Sequence, residues 1–321
     1  MRHQSLLAIL LGSVVFGSVG ACSSSSSDAG PAAPTADQAC TDLSAAFCDK
    51  IAACTPVYLQ LGYGDAARCK AQLKPNCTTS LTAPSTGSTP QNLADCAKAV
   101  PAVSCNDLYS NRTPAACQPV AGKLADGAAC GEDSQCVSKY CGTSGTSNCG
   151  KCGPAPGAGG SCATQKCGPG LVCASGTCLV PGKSGDACTF DKAPCESELS
   201  CNDGKCGPPA SNAGDACSLD GKGKPLCDFI GKGLFCLAGK CVAVKLHDVG
   251  AACGYDATTM EVSGCSGNGF CKKDKPADLA GKCIAPAAEG GACDPATGPS
   301  CEQTSKCISG LCKRSDPASC K

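Results

Sequence analysis

The stretch from Gly185 to Cys206, GDACTFDKAPCESELSCNDGKC, carries four cysteines in 22 residues, and close relatives of it recur along the chain. Whether these sulfurs bind metal, carry redox chemistry or act as staples decides the fold class. Composition narrows the answer. The 321 residues include 35 Cys and 40 Gly but only 6 Phe, 5 Tyr and no Trp, too few large side chains for an ordinary interlocking core. An α/β barrel of this length would need eight apolar strands alternating with amphipathic helices, and no such series is present.

Working outward from that stretch, its opening frame, a glycine three residues before a cysteine, recurs at Gly127, Gly159, Gly185, Gly214, Gly250 and Gly290. A closing Gly-x-Cys follows each opening: Gly150/Cys152, Gly176/Cys178, Gly204/Cys206, Gly239/Cys241, Gly281/Cys283 and Gly310/Cys312. The strict alternation gives six modules over residues 127–321, starting near 127, 159, 185, 214, 250 and 290, with first cysteines 26 to 40 residues apart. Four of them end in Cys-x-x-Gly-x-Cys, where a glycine at positive φ can turn two short strand ends back on each other. Each module is therefore expected to be a small β-hairpin with tied loops.

The cysteines of these modules are Cys130, Cys136, Cys141, Cys149 and Cys152; Cys162, Cys167, Cys173 and Cys178; Cys188, Cys195, Cys201 and Cys206; Cys217, Cys227, Cys236 and Cys241; Cys253, Cys265, Cys271 and Cys283; and Cys293, Cys301, Cys307, Cys312 and Cys320. All are candidates for disulfides, and at about 2 to 4 kcal/mol each such bridges could replace the missing core.

The redox compartment is set by the first residues. Met1-Arg2-His3-Gln4 is a short basic start and Leu6 to Phe16 is an apolar run of 11, too short to span a bilayer. Residues 1–21 read as an export signal. Val19-Gly20-Ala21-Cys22 resembles the bacterial lipobox, in which the cysteine becomes the lipidated first residue; an ordinary signal peptide cleaved nearby is the alternative. Setting Cys22 aside leaves 34 cysteines, an even number, as complete pairing in an oxidising space requires. Ser23 after Cys22, by resemblance to bacterial lipoproteins, implies sorting to the outer membrane of a Gram-negative cell, facing the periplasm or the surface. From Cys22 on there are 26 Lys and Arg against 27 Asp and Glu, spread evenly, so nothing points to nucleic acid.

Residues 22–37 are rich in Ser, Ala and Pro and read as a flexible tether. Residues 38–120 change to helical periodicity, with Cys40, Cys48, Cys54, Cys69, Cys77, Cys96, Cys105 and Cys117. Cys40, Leu43, Phe47, Ile51 and Cys54 are expected to form the inward stripe of a first helix. Asp65 caps a second, expected to stop at Pro75, and Thr89-Pro90 opens a third; a short fourth piece is expected near Ser104 to Tyr109. The fold class expected is thus a small all-α disulfide-bonded domain followed by small disulfide-rich modules of short hairpins and loops.

The segment from Cys130 to Cys141, CGEDSQCVSKYC, with its Cys-x-x-Asp-x-x-Cys and Tyr-Cys elements, resembles the start of the Dickkopf N-terminal cysteine-rich motif. The other modules keep the cysteine rhythm without the Asp and the Tyr-Cys. The order of lipobox, tether, helical domain and modules resembles bacterial cysteine-rich repeat lipoproteins.

Rival chemistries are thinly represented. Cys149-Gly-Lys-Cys152 has the spacing at which two thiolates reach one zinc, or at which a thiol oxidoreductase works, but it lacks a second such pair or a βαβ setting. His247 is the one histidine after the signal, between Leu246 and Asp248, and neither a Gly-x-Ser-x-Gly nor a His-Glu-x-x-His is present. Glu196 and Glu198 could pair as carboxylates, although acidic loop residues are usually just solvated. Asn76 and Asn111 match glycosylation sequons, which the bacterial signal makes coincidental. Phe229, Leu234 and Phe235, and Tyr255 and Met260 in an expected loop from Gly254 to Gly264, either pack over disulfides or form a partner-binding patch. The expectation is a non-enzymatic, membrane-anchored lipoprotein without cofactor or metal, acting as an envelope or surface interaction or structural element on a protein or other envelope component. Its alternatives are an exported thiol-redox or metal-binding protein using Cys149 and Cys152, and an inhibitor or ligand-binding module.

Overall fold

Helix α1 (Ala36–Cys54) begins where Thr35 accepts a hydrogen bond from the Gln38 amide, so Ala36 and Asp37 belong to the helix rather than to a tether. The computed structural model describes residues 32–110, 112–143, 147–189, 192–256, 258–275 and 277–321; the signal, the Cys22 lipidation site and Asn111 lie outside them. Helices α2 (Pro56–Tyr63), α3 (Ala66–Thr82), α4 (Pro90–Ala99) and the short α5 (Cys105–Tyr109) complete the helical region. The Asp65 carboxylate accepts from the Arg68 amide at 2.7 Å to start α3, and Thr89 starts α4 in the same way.

Three sequence expectations need correction here. Helix α2 intervenes before Asp65, with Pro56 at its first position, where the missing N–H costs nothing. Pro75 does not stop α3, which runs on to Thr82. An interior proline costs roughly 3 kcal/mol, but α3 lies antiparallel to α1 and is bonded to it twice, through Cys40–Cys77 and Cys48–Cys69. Lys74–Asp37 and Lys70–Asp49 ion pairs flank these bridges. The inward stripe of α1 is also displaced. Cys40, Ser44 and Cys48 are buried, while Leu43, Phe47, Ile51 and Cys54 are half-buried, because α1 packs against α3 on one side and α4 on the other.

The modules share one hydrogen-bonded frame. At every opening glycine the amide donates at 2.8 Å to the carbonyl of the closing cysteine: Gly127 to Cys152, Gly159 to Cys178, Gly185 to Cys206, Gly214 to Cys241, Gly250 to Cys283 and Gly290 to Cys312. Those six glycines have φ between +77° and +92°, and an added Cβ would meet nothing within 4 Å. Backbone conformation, not space, therefore requires glycine there.

The strands are β1 (Ala129–Cys130) with β2 (Gly150–Lys151) in module one, β3 (Val172–Ala174) with β4 (Thr177–Leu179) in module two, and β5 (Ser200–Asn202) with β6 (Lys205–Gly207) in module three. Module four pairs β7 (Leu234–Leu237) with β8 (Lys240–Ala243). Module six pairs β14 (Lys306–Ile308) with β15 (Leu311–Lys313). In modules two, three, four and six the two turn residues, such as Ser175-Gly176 and Asp203-Gly204, both have positive φ, the turn whose twist matches a tight hairpin. Module five is larger. Strands β9 (Lys245–His247), β10 (Ala252–Asp256), β11 (Glu261–Cys265), β12 (Phe270–Lys272) and β13 (Ala280–Ile284) form one sheet in the order β12-β13-β10-β11-β9. The expected loop from Gly254 to Gly264 is thus mostly the two arms of the β10–β11 hairpin.

Inside each module the bridges interlace, first cysteine to third and second to the cysteine of the closing Gly-x-Cys, as in Cys188–Cys201 with Cys195–Cys206. The same pattern gives Cys130–Cys141 and Cys136–Cys152, Cys162–Cys173 and Cys167–Cys178, Cys217–Cys236 and Cys227–Cys241, Cys253–Cys271 and Cys265–Cys283, and Cys293–Cys307 and Cys301–Cys312. Sulfur replaces bulky side chains as the interior. Cys54–Cys105 and Cys96–Cys117 tie the rest of the helical region, and Cys149–Cys320 joins module one to the end of module six. Seventeen bridges mark an exported protein, since a reducing cytosol does not maintain them. Among the described residues no helix is long and apolar enough to cross a membrane.

Modules dock on the helical region through specific bonds. Gln135 Nε2 donates to the Pro84 carbonyl at 2.8 Å. The amides of Gly267 and Asn268 donate to the carbonyls of Gln60 and Leu61 in the last turn of α2; the Gln60 carbonyl also accepts from the Gly64 amide that caps the helix.

Candidate functional site

Modules one to five each bring at least three sulfurs together; Cys130, Cys136 and Cys152, for example, lie within 4.8 Å of one another. A thiolate cluster would have similar spacing, yet these atoms belong to two stacked disulfides and are not thiolates. Cys149 and Cys152 are not joined to each other: Cys152 bonds Cys136, and Cys149 bonds Cys320. The reason is local. They flank β2, and in extended backbone residues three apart point to opposite faces, so Cys152 enters the module interior while Cys149 is left at its margin.

A concavity lies where the helical region meets modules three and four. It is an apolar cleft of about 670 Å³, within the range of ligand pockets. Thr55, the Cys54–Cys105 bridge and Tyr109 form one wall; Pro194 and Leu199 of module three and Leu226, Phe229 and Ile230 of module four form the others. Phe229 and Ile230 stand on the one-turn helix α6 (Phe229–Lys232), where they remain 44% and 45% exposed. Asp228 starts α6 by accepting from the Gly231 amide at 2.7 Å. Gly233, at φ +64°, ends it against Val57, whose Cγ2 would lie 2.8 Å from an added Cβ.

The charged residues among the described lining of this cleft are two carboxylates, Glu198 and Asp228, and further charge is arranged around it. Glu196 is not free to act with Glu198: its carboxylate accepts from Arg112 Nη1 at 3.3 Å and from Asn106 Nδ2 at 3.1 Å, clamping module three to the helical region. Arg112 also donates to Asp107 at 2.7 Å, which with the Ser104 hydroxyl holds the Asp107 carboxyl below the usual carboxylate range. Glu198 is exposed at the rim. The Tyr109 hydroxyl hydrogen-bonds Thr55, and burial pushes its phenol upward, so it stays neutral at physiological pH. The described lining residues include no Lys, Arg or His. The arrangement suits an apolar group.

No family model, no curated protein and no solved structure matches the chain.

The other residues singled out in the sequence are scattered. Leu234 is core, packed with Cys217, Cys236 and Cys241, whereas Phe235 on the same strand is 40% exposed. Tyr255 donates its hydroxyl to the Met260 sulfur within module five. His247 pairs with Cys265 across parallel strands, and its carbonyl accepts from the Ser266 amide. Sequence reading missed Ile230, Tyr109 and Arg112. The string Asp228-Phe-Ile-Gly-Lys-Gly233 does carry a capped one-turn helix, but nothing local says which elements face it.

Proposed function

We propose that the chain is a non-enzymatic, exported lipoprotein tethered through Cys22 to the outer membrane, whose helical region and six modules act as an envelope or surface interaction element. The observation that carries this reading is that the 17 bridges use every cysteine except Cys22, the residue at the lipobox. Its resemblance to bacterial cysteine-rich repeat lipoproteins is a second support. The cleft beside Phe229 and Ile230 favours recognition of a partner over a purely mechanical role, and so also favours the ligand-binding variant of this reading.

Intact mass of protein extracted from membranes without reductant, with and without an alkylating reagent, is the test. Thirty-four missing hydrogens, no alkylation and acyl groups on Cys22 are expected. An unprocessed mass recovered from the cytosol, or alkylation of the untreated protein at Cys149 and Cys152, overturns the reading.

A further inference from the structure

Cys149–Cys320 stands outside the repeat. Fifteen of the seventeen bridges contain at least one buried cysteine; only Cys149–Cys320 and Cys54–Cys105 contain none. The surroundings of these two differ. Cys54 and Cys105 line the apolar cleft, whose described residues include no cation. Cys149, half-buried, lines a separate cleft of about 500 Å³ whose described lining carries charge of both signs, Lys313 and Arg314 with Glu289 and Asp316. Thiolates, the species that attack disulfides and leave from them, are disfavoured in apolar settings such as the cleft at Cys54 and Cys105.

Every module also keeps its own two bridges when Cys149–Cys320 is broken, so this bond can open without dismantling a module. The junction has other holds. Asn148 Nδ2 donates to the Arg314 carbonyl at 2.7 Å, Lys306 Nζ donates to the Ser147 carbonyl at 3.0 Å, and Ser315 Oγ donates to the Gly131 carbonyl at 3.4 Å.

We propose that Cys149–Cys320, closed in the resting protein, is a thiol-exchange site: the bridge that an added dithiol reduces first. One thiolate of the dithiol attacks Sγ of Cys149, forming a mixed disulfide and releasing the Cys320 sulfur as a thiolate that takes a proton from water. The second sulfur of the dithiol then attacks the first, releasing Cys149 and leaving the reductant as a disulfide. Two electrons pass from the dithiol to the protein, and two thiols replace one bridge.

The test treats the folded protein with limiting dithiothreitol, quenches with N-ethylmaleimide at intervals, and maps labelled cysteines by mass spectrometry. Labelling of Cys149 and Cys320 together, at least about tenfold faster than any other pair, is expected. Earlier labelling of Cys54 and Cys105, or simultaneous labelling of many cysteines, overturns the assignment. The Cys149→Ser/Cys320→Ser variant should lose the fast phase and keep the slow ones; a fast two-thiol phase that survives in it also overturns the proposal.

Discussion

The Gly214 amide donates to the Cys241 carbonyl at 2.8 Å, and five other glycine–cysteine pairs repeat this bond. Replacing Gly214 by Ala introduces no clash, since nothing lies within 4 Å of the new Cβ, but forces a side chain into the left-handed region. A loss of about 1 to 2 kcal/mol is expected by chemical denaturation under oxidising conditions. Gly221→Ala should cost more, because its Cβ would lie 2.0 Å from the Cys201 carbonyl oxygen where modules three and four meet. Equal costs for the two variants would remove the distinction.

Leu234 and Phe229 should behave oppositely. Leu234→Ala empties a core position that is 5% exposed and should cost about 2 to 3 kcal/mol. Phe229→Ala should change stability by less than about 1 kcal/mol yet weaken binding of an apolar fluorophore such as Nile red to the cleft. Unchanged dye emission in Phe229→Ala/Ile230→Ser would show that the cleft does not take apolar groups.

Glu132 lies at the contact of modules one and six, near Asp133, Lys166, Ser315 and Lys306. Burial, and then Asp133, hold its carboxyl above the ordinary range. The folded protein therefore takes up this proton at higher pH than the unfolded chain. Its contribution to stability is complete below the unfolded value and is lost as pH rises through the raised folded value. Glu132→Gln, which keeps an oxygen for the Gln135 amide, should raise Tm at pH 7, with the gain shrinking toward pH 4. A lower Tm at pH 7 would mean that the charge is held favourably by Lys166 and Lys306.

The Cys149→Ser/Cys320→Ser variant should fold with its other bridges intact and a lower Tm. For a sequence separation of 171 residues the chain-entropy limit is about 5 kcal/mol, and the nested bridges reduce the effective loop and the loss. Scrambled pairing in the variant, read by peptide mapping, would instead make this bond part of the folding route.

Much of the fold is legible in the chain because its signals are local. Gly-x-x-Cys openings, Gly-x-Cys closings and the caps Asp65 and Thr89 each act within a few residues. What is not legible is set by distant partners. Pro75 stays helical because Cys77 is bonded to Cys40, and Cys149 turns from Cys152 to Cys320 because a two-residue strand lies between the first two. The cleft is harder still, drawing Tyr109, Leu199 and Ile230 from three separate regions.

The Cys149–Cys320 bond has one more consequence, for survival among proteases. A single cut in any connection between modules two and six leaves the pieces joined through sulfur, so a nicked molecule keeps its parts until reductant arrives.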